Sequence, residues 1–120
     1  MEVFYDLHVC RTKPTPQDFL DSDAQLKADP TVYYTMNGPS EFFITGTLKT
    51  WTIESTIHKI HVPTLLVNGR YDEAQDSVML PFWNGIEKVK WYKFAESSHT
   101  PQLEQPEEFL EIVGEFLRAA

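Results

Sequence analysis

Residues 62–69 read VPTLLVNG, a short and nearly all-apolar run that ends at a glycine. A run of this length and composition is typical of a strand buried on both faces, as in a parallel sheet. A second run, VKWYKF at residues 89–94, also has strand composition, and its lysines indicate a position nearer a sheet edge. The two runs predict neighbouring strands of one sheet.

Helical patterns separate and follow these strands. Residues 76–83 can form a short helix that Pro81 would limit or kink. From Pro106 onward, apolar residues recur at the spacing of one helical face: Phe109, Leu110, Ile112, Val113, Phe116 and Leu117. Strand, helix, strand and helix at this spacing predict an α/β fold with a right-handed crossover between parallel strands.

The first 60 residues have a different character, because their apolar residues are scattered among prolines and turn formers. This pattern predicts short helices broken by turns. One weak helical face lies around residues 4–8, another helix can open after Pro16, and a third can start at residues 39–44 with Ser40 as its cap. We therefore expect two parts, residues 1–60 and residues 61–120.

Composition excludes several classes of function. The chain has 120 residues, 42% of them hydrophobic, which is enough for a packed core. A net charge of −8 without a basic cluster argues against nucleic acid or an anionic membrane as partner. The sequence has no signal-peptide pattern, and its single cysteine, Cys10, fits a reducing compartment, so we expect a cytoplasmic protein.

An acid and a histidine follow the two predicted strands. Asp72 lies in NGRYDE at residues 68–73, and His99 lies in ESSHTP at residues 96–101. Because the carboxyl ends of parallel strands lie at one edge of a sheet, we expect these side chains to meet there. A carboxylate that accepts the Nδ1 proton of an imidazole fixes its tautomer and stabilises the imidazolium formed when the other nitrogen takes a proton. Asp72 and His99 are therefore candidate catalytic residues.

The order of acid and then histidine resembles that of the α/β-hydrolases, whose triad runs serine, acid, histidine. FYDLHVCR at residues 4–11, YTMNGPSEF at residues 34–42 and the pair Asp72-Glu73 narrow the resemblance to proline iminopeptidases and related amino-acid amidases. The resemblance covers essentially the whole chain. It implies the C-terminal portion of an α/β-hydrolase core at residues 61–120, preceded by part of a helical cap, or lid, at residues 1–60.

The resemblance also implies a substrate. In that family one glutamate from the cap and the glutamate after the catalytic acid hold the free α-amino group, and the matching positions here are Glu41 and Glu73. Two carboxylates that converge on one ammonium make charge-assisted hydrogen bonds and reject blocked amines. The implied substrate is a small peptide or amino-acid amide with an N-terminal proline or small apolar residue. No metal or organic cofactor is implied, and the oligomeric state is left open.

The nucleophile is missing from these residues. No Gly-x-Ser-x-Gly motif is present, nor is the glycine-rich loop that would supply oxyanion donors. We therefore expect a fragment of a serine hydrolase that is inactive alone. Two alternatives remain open: an α/β-hydrolase of another specificity, such as an esterase or epoxide hydrolase, and a non-catalytic interaction module.

Overall fold

The computed structural model describes all 120 residues and contains six α-helices, two short 3₁₀ helices and two strands. The helices are α1 (Glu2–His8), α2 (Gln17–Ala28), α3 (Thr31–Met36), α4 (Asp76–Gly85), α5 (Pro101–Glu104) and α6 (Pro106–Ala119). The strands are β1 (Thr64–Gly69) and β2 (Val89–Phe94), and the 3₁₀ helices are Thr47–Thr50 and Glu54–Lys59.

The sheet consists of β1 and β2, which run parallel, as the sequence predicts. Their register pairs Thr64 with Val89 at one end and Gly69 with Phe94 at the other. The first strand begins at Thr64 rather than at residue 62, because Pro63 has no N–H to donate to a ladder. Both strands therefore end at the same edge, from which the loops at residues 70–75 and 95–100 emerge.

The helices of the second half confirm the predicted strand–helix–strand–helix order. Helix α6 begins at Pro106, in the position where a missing N–H does no harm. The expectation that Pro81 would limit α4 is wrong, because α4 continues to Gly85. The N–H that Pro81 lacks would have paired with Ser77, which lies exposed in the first turn, so its carbonyl can bind water instead.

The first 60 residues hold only helices and turns. Helices α1 and α2 lie where the sequence predicts them, whereas α3 was not predicted. The prediction of a helix at residues 39–44 is wrong, because the chain forms a turn there. The Ser40 hydroxyl accepts the N–H of Phe42 at 3.3 Å, and the Ser40 carbonyl accepts the N–H of Phe43 at 3.2 Å. The cap side chain therefore closes a turn rather than opening a helix.

Little of the apolar surface is covered within the chain. The buried hydrophobic side chains are Val9, Cys10, Ile57, Ile86 and Phe94. Two members of the predicted stripe on α6, Leu110 and Leu117, are 71% and 66% exposed, and Trp83 on α4 is 44% exposed. No helix is both long enough and apolar enough to span a membrane.

Candidate active site

The acid loop, residues 70–75, starts where β1 ends and curls around the carboxylate of Asp72. Asp72 Oδ2 accepts the N–H of Gly69 at 3.1 Å, and Oδ1 accepts the N–H of Ala74 at 2.7 Å. The side chain is only 4% exposed. A buried carboxylate held by two backbone N–H groups is oriented before any ligand arrives.

The histidine loop, residues 95–100, brings His99 to this carboxylate across 27 positions of sequence. His99 Nδ1 lies 2.8 Å from Asp72 Oδ1. An ionised carboxylate can only accept, so the neutral imidazole carries its proton on Nδ1 and leaves Nε2 unprotonated. The side chain of His99 is 48% exposed. The arrangement therefore presents a basic nitrogen at the open edge of the sheet.

Negative charge around His99 favours its protonated form. The hydrogen bond to Asp72 raises the pKa of His99, partial burial opposes the rise, and the charges of Asp72, Glu73 and Glu104 add to it. The atom opposite the acid, Nε2, lies 3.7 Å from Glu73 Oε1. One carboxylate therefore lies beside each nitrogen of the ring.

The two candidate amine-binding glutamates, Glu41 and Glu73, belong to the same charged cluster. Burial raises the pKa of Glu73, and the nearby charge of Glu41 raises it further, against the opposing charge of His99. The repulsion between these carboxylates suits a site that receives a cation.

Glu41 is held from α1. The Tyr5 hydroxyl donates to Glu41 Oε2 at 2.8 Å, and burial together with this bond raises the pKa of Tyr5 to about 12. Burial alone would raise the pKa of Glu41, but hydrogen bonds from its own backbone, Tyr5 and Tyr33 bring it below its ordinary value. Glu41 therefore stays ionised beside the site.

The serines next to His99 are engaged elsewhere. Ser97 and Ser98 are fully buried, and their hydroxyls donate to Gln105 and Glu104 at 2.6 and 2.8 Å. Neither hydroxyl is bonded to the imidazole. The 120 residues thus bring an imidazole and a carboxylate together, but no hydroxyl of the chain is hydrogen-bonded to Nε2.

Sequence reasoning missed three residues that hold the site. Asn68 is 1% exposed; its amide donates to the carbonyl of Ala74, and its oxygen accepts the indole N–H of Trp91. An asparagine inside an apolar strand was the available signal, since buried polar groups need partners. Tyr5 and Glu104 gave no such signal, because their partners are distant in sequence.

No family model matches the sequence. Along the sequence, the chain is 35% identical over 114 residues to a proline iminopeptidase of Saccharolobus solfataricus, a match that covers 95% of this chain and 36% of that protein. It is 33% identical over 119 residues to a proline iminopeptidase of Heyndrickxia coagulans, covering 99% of this chain and 41% of the relative. The chain thus spans well under half the length of these curated relatives.

Two solved structures share the fold. The crystal structure of VinJ superposes with a TM-score of 0.93 at 44% sequence identity, over 99% of this chain and 40% of that one. The crystal structure of proline iminopeptidase from Mycobacterium smegmatis gives 0.93 at 46% identity, over 98% of this chain and 40% of that one. The match is to the C-terminal part of these folds.

Proposed function

We propose that this chain, which shares its sequence and fold with the C-terminal part of the proline iminopeptidases, supplies the acid and the histidine of a serine aminopeptidase. The observation that carries the proposal is the 2.8 Å contact between Asp72 Oδ1 and His99 Nδ1 at the shared end of two parallel strands. In this reading residues 61–120 belong to the catalytic core and residues 1–60 to the cap.

The chemistry follows from the two nitrogens of His99. Nε2 takes the proton of a serine hydroxyl as the hydroxyl attacks the scissile carbonyl, and it later returns that proton to the leaving amine. Asp72 keeps the proton on Nδ1 and stabilises the imidazolium between these two transfers. Its two backbone hydrogen bonds let it do so without rearranging.

Glu41 and Glu73 are proposed to hold the α-ammonium group of the substrate. An ammonium between them offsets both the cost of burying the charge of Glu73 and its repulsion by Glu41. An N-acetylated substrate brings no positive charge and gives the two carboxylates no cation to bind. The proposed substrate is therefore a small peptide or amide with a free N-terminal residue.

The proposed location is the cytosol, because the buried thiol of Cys10 suits a reducing compartment.

The serine and the oxyanion donors are proposed to come from a part of the protein outside these 120 residues. The exposed apolar side chains on both long helices of the second half, such as Trp83 and Leu110, support this view. So does the two-stranded sheet, since so small a sheet needs further neighbours to be stable. Without the missing part, the chain alone is proposed to be inactive.

The test compares free and blocked amines in the complete protein that contains these residues. The substrates are prolyl and alanyl 4-nitroanilides with and without an N-acetyl group. We expect turnover of the free-amine substrates, and Glu41→Gln and Glu73→Gln each to lower kcat/KM for them about 10- to 100-fold, the value of one charged hydrogen bond. The exposed Glu54→Gln is the matched control.

Two results would reject this function. Faster turnover of blocked amides or simple esters would favour a hydrolase of another specificity. Unchanged kcat/KM in both glutamine variants would remove the amine-binding role while leaving Asp72 and His99 in place.

A further inference from the structure

The loop that carries His99 is held on both sides of the histidine by one carboxylate. Glu104 Oε2 accepts the backbone N–H of Ser98 at 2.8 Å and that of Thr100 at 3.2 Å. The same oxygen lies 3.4 Å from the Thr100 hydroxyl. Because both neighbours of His99 are tied to Glu104, the backbone at position 99 has little freedom to rotate.

The other oxygen of this carboxylate ties the loop to the first part of the chain. Glu104 Oε1 accepts the Ser98 hydroxyl at 2.8 Å and the backbone N–H of Arg11 at 2.7 Å. Two positions before Arg11, the Val9 carbonyl accepts the N–H of His99 at 3.2 Å and the Thr100 hydroxyl at 3.0 Å. Residues 8–11, which we term the bridge segment, are thereby fixed to the histidine loop.

The bridge segment also holds the acid loop. The His8 carbonyl accepts the N–H of Glu73 at 3.2 Å, and His8 Nδ1 donates to the Tyr71 carbonyl at 2.8 Å. The guanidinium of Arg11 lies 3.8 Å from the centre of the Tyr71 ring. One short segment therefore contacts the loops on either side of the Asp72–His99 pair.

We propose that Glu104 is a positioning residue of this site, which acts by clamping the histidine loop to the bridge segment and so sets the distance between His99 and Asp72. The inference rests on the proposed function for its kinetic consequence but not for its geometry. Half of the His99 side chain is exposed, so side-chain packing alone does not fix the ring, and its place depends on the backbone that Glu104 holds.

The decisive variant is Glu104→Asp, which keeps the charge but shortens the side chain by one methylene. An aspartate cannot reach both the histidine loop and the N–H of Arg11. Charge must be preserved because Glu104, Asp72, Glu73 and Glu41 all face His99, and removal of a carboxylate would lower its pKa without any movement. The matched control is Glu115→Asp on the exposed side of α6.

The experiment measures two quantities in the complete protein. Nuclear magnetic resonance of ¹⁵N-labelled histidine follows the titration of His99, and kinetics separate kcat from KM for a free-amine nitroanilide. In Glu104→Asp we expect the pKa of His99 to fall towards its ordinary value, and kcat to fall about 10- to 100-fold with KM nearly unchanged, as for a base misplaced by about 1 Å.

Each outcome decides a separate point. An unchanged titration of His99 in folded Glu104→Asp overturns the inference, whatever happens to kcat, because Glu104 then does not set the position of His99 relative to Asp72. A shifted titration in a protein without peptidase activity supports the inference and rejects the proposed function. If Glu104→Asp does not fold, the double variant Ser98→Ala/Thr100→Val replaces it. It removes both hydroxyl contacts of the histidine loop, with Glu104 and with Val9, without any change of charge, and an unshifted His99 titration then overturns the inference.

Discussion

Oε1 of Glu73 lies 3.7 Å from Nε2 of His99, the imidazole nitrogen that a nucleophile would need. The carboxylate that we propose to bind a substrate ammonium therefore also influences the protonation of His99. We therefore expect the charge of Glu73 to affect the pH dependence of the proposed reaction.

Glu73→Gln is expected to move the acid limb of the kcat/KM profile to lower pH. The negative charge of Glu73 favours the imidazolium and raises the pKa of His99, while the base works only when it is unprotonated. Removing that charge lowers the pKa of His99, so activity persists to lower pH, although Asp72 and Glu104 still act to raise that pKa. The measurement uses an ester substrate without an amine, so that loss of ammonium binding does not interfere. A limb that stays in place or moves upward contradicts the prediction.

Asp72→Asn is expected to lower kcat by about 10⁴-fold, the loss typical of an orienting acid replaced by its amide. Every partner of the Asp72 carboxylate is a donor: Gly69 N–H, Ala74 N–H and His99 Nδ1. An amide must turn its NH₂ group towards at least one of them, which disturbs either the acid loop or the tautomer of the histidine. The kinetics are measured on protein shown to be folded by near-ultraviolet circular dichroism. A loss smaller than tenfold would show that Asp72 does not orient the base.

Gly69→Ala and Gly114→Ala are expected to change stability in opposite directions. A Cβ on Gly69 would lie 2.2 Å from the Ser98 carbonyl oxygen, so the end of β1 must separate from the histidine loop. We expect a loss of about 1–3 kcal/mol in the free energy of unfolding. A Cβ on Gly114 meets only the guanidinium at the end of the long Arg118 side chain, at 3.2 Å, and alanine inside a helix is favoured by up to about 1 kcal/mol. Urea unfolding of both variants, made in the complete protein, checks the signs, and equal effects would contradict the close contact at Gly69.

The isolated 120 residues are expected to lack a cooperative thermal transition and to bind a hydrophobic dye. Only five hydrophobic side chains are buried, while Leu110, Leu117 and Trp83 remain open to solvent. Near-ultraviolet circular dichroism and dye fluorescence measure this directly. A sharp transition without dye binding would favour the interaction module, which must fold by itself.

The core of the fold could be predicted because its signals are local. Residues 62–69 and 89–94 have strand composition, and the stripe on α6 has helical spacing, so each pattern specifies its own element. Asp72 and His99 could be brought together because parallel strands end at one edge.

The remainder depended on contacts that the sequence does not encode locally. The Ser40 side chain can cap a helix or close a turn. Contacts with the surrounding part of the fold, rather than the local sequence, decide between the two. Glu41 meets Tyr5 across 36 positions, and Glu104 meets Arg11 across 93. Such pairs follow from the complete fold rather than from spacing.

The bridge segment has a consequence for how this protein tolerates changes of length. His8 contacts the acid loop, Val9 contacts the histidine loop, and Arg11 is tied to the histidine loop through Glu104. The bridge segment therefore fixes the spacing between the two loops. Inserting or deleting one residue between positions 8 and 11 would shift the acid loop relative to the histidine loop. Length changes in the exposed turn between α2 and α3 would leave the bridge segment unchanged, so this turn is the place for inserting a tag or a new loop.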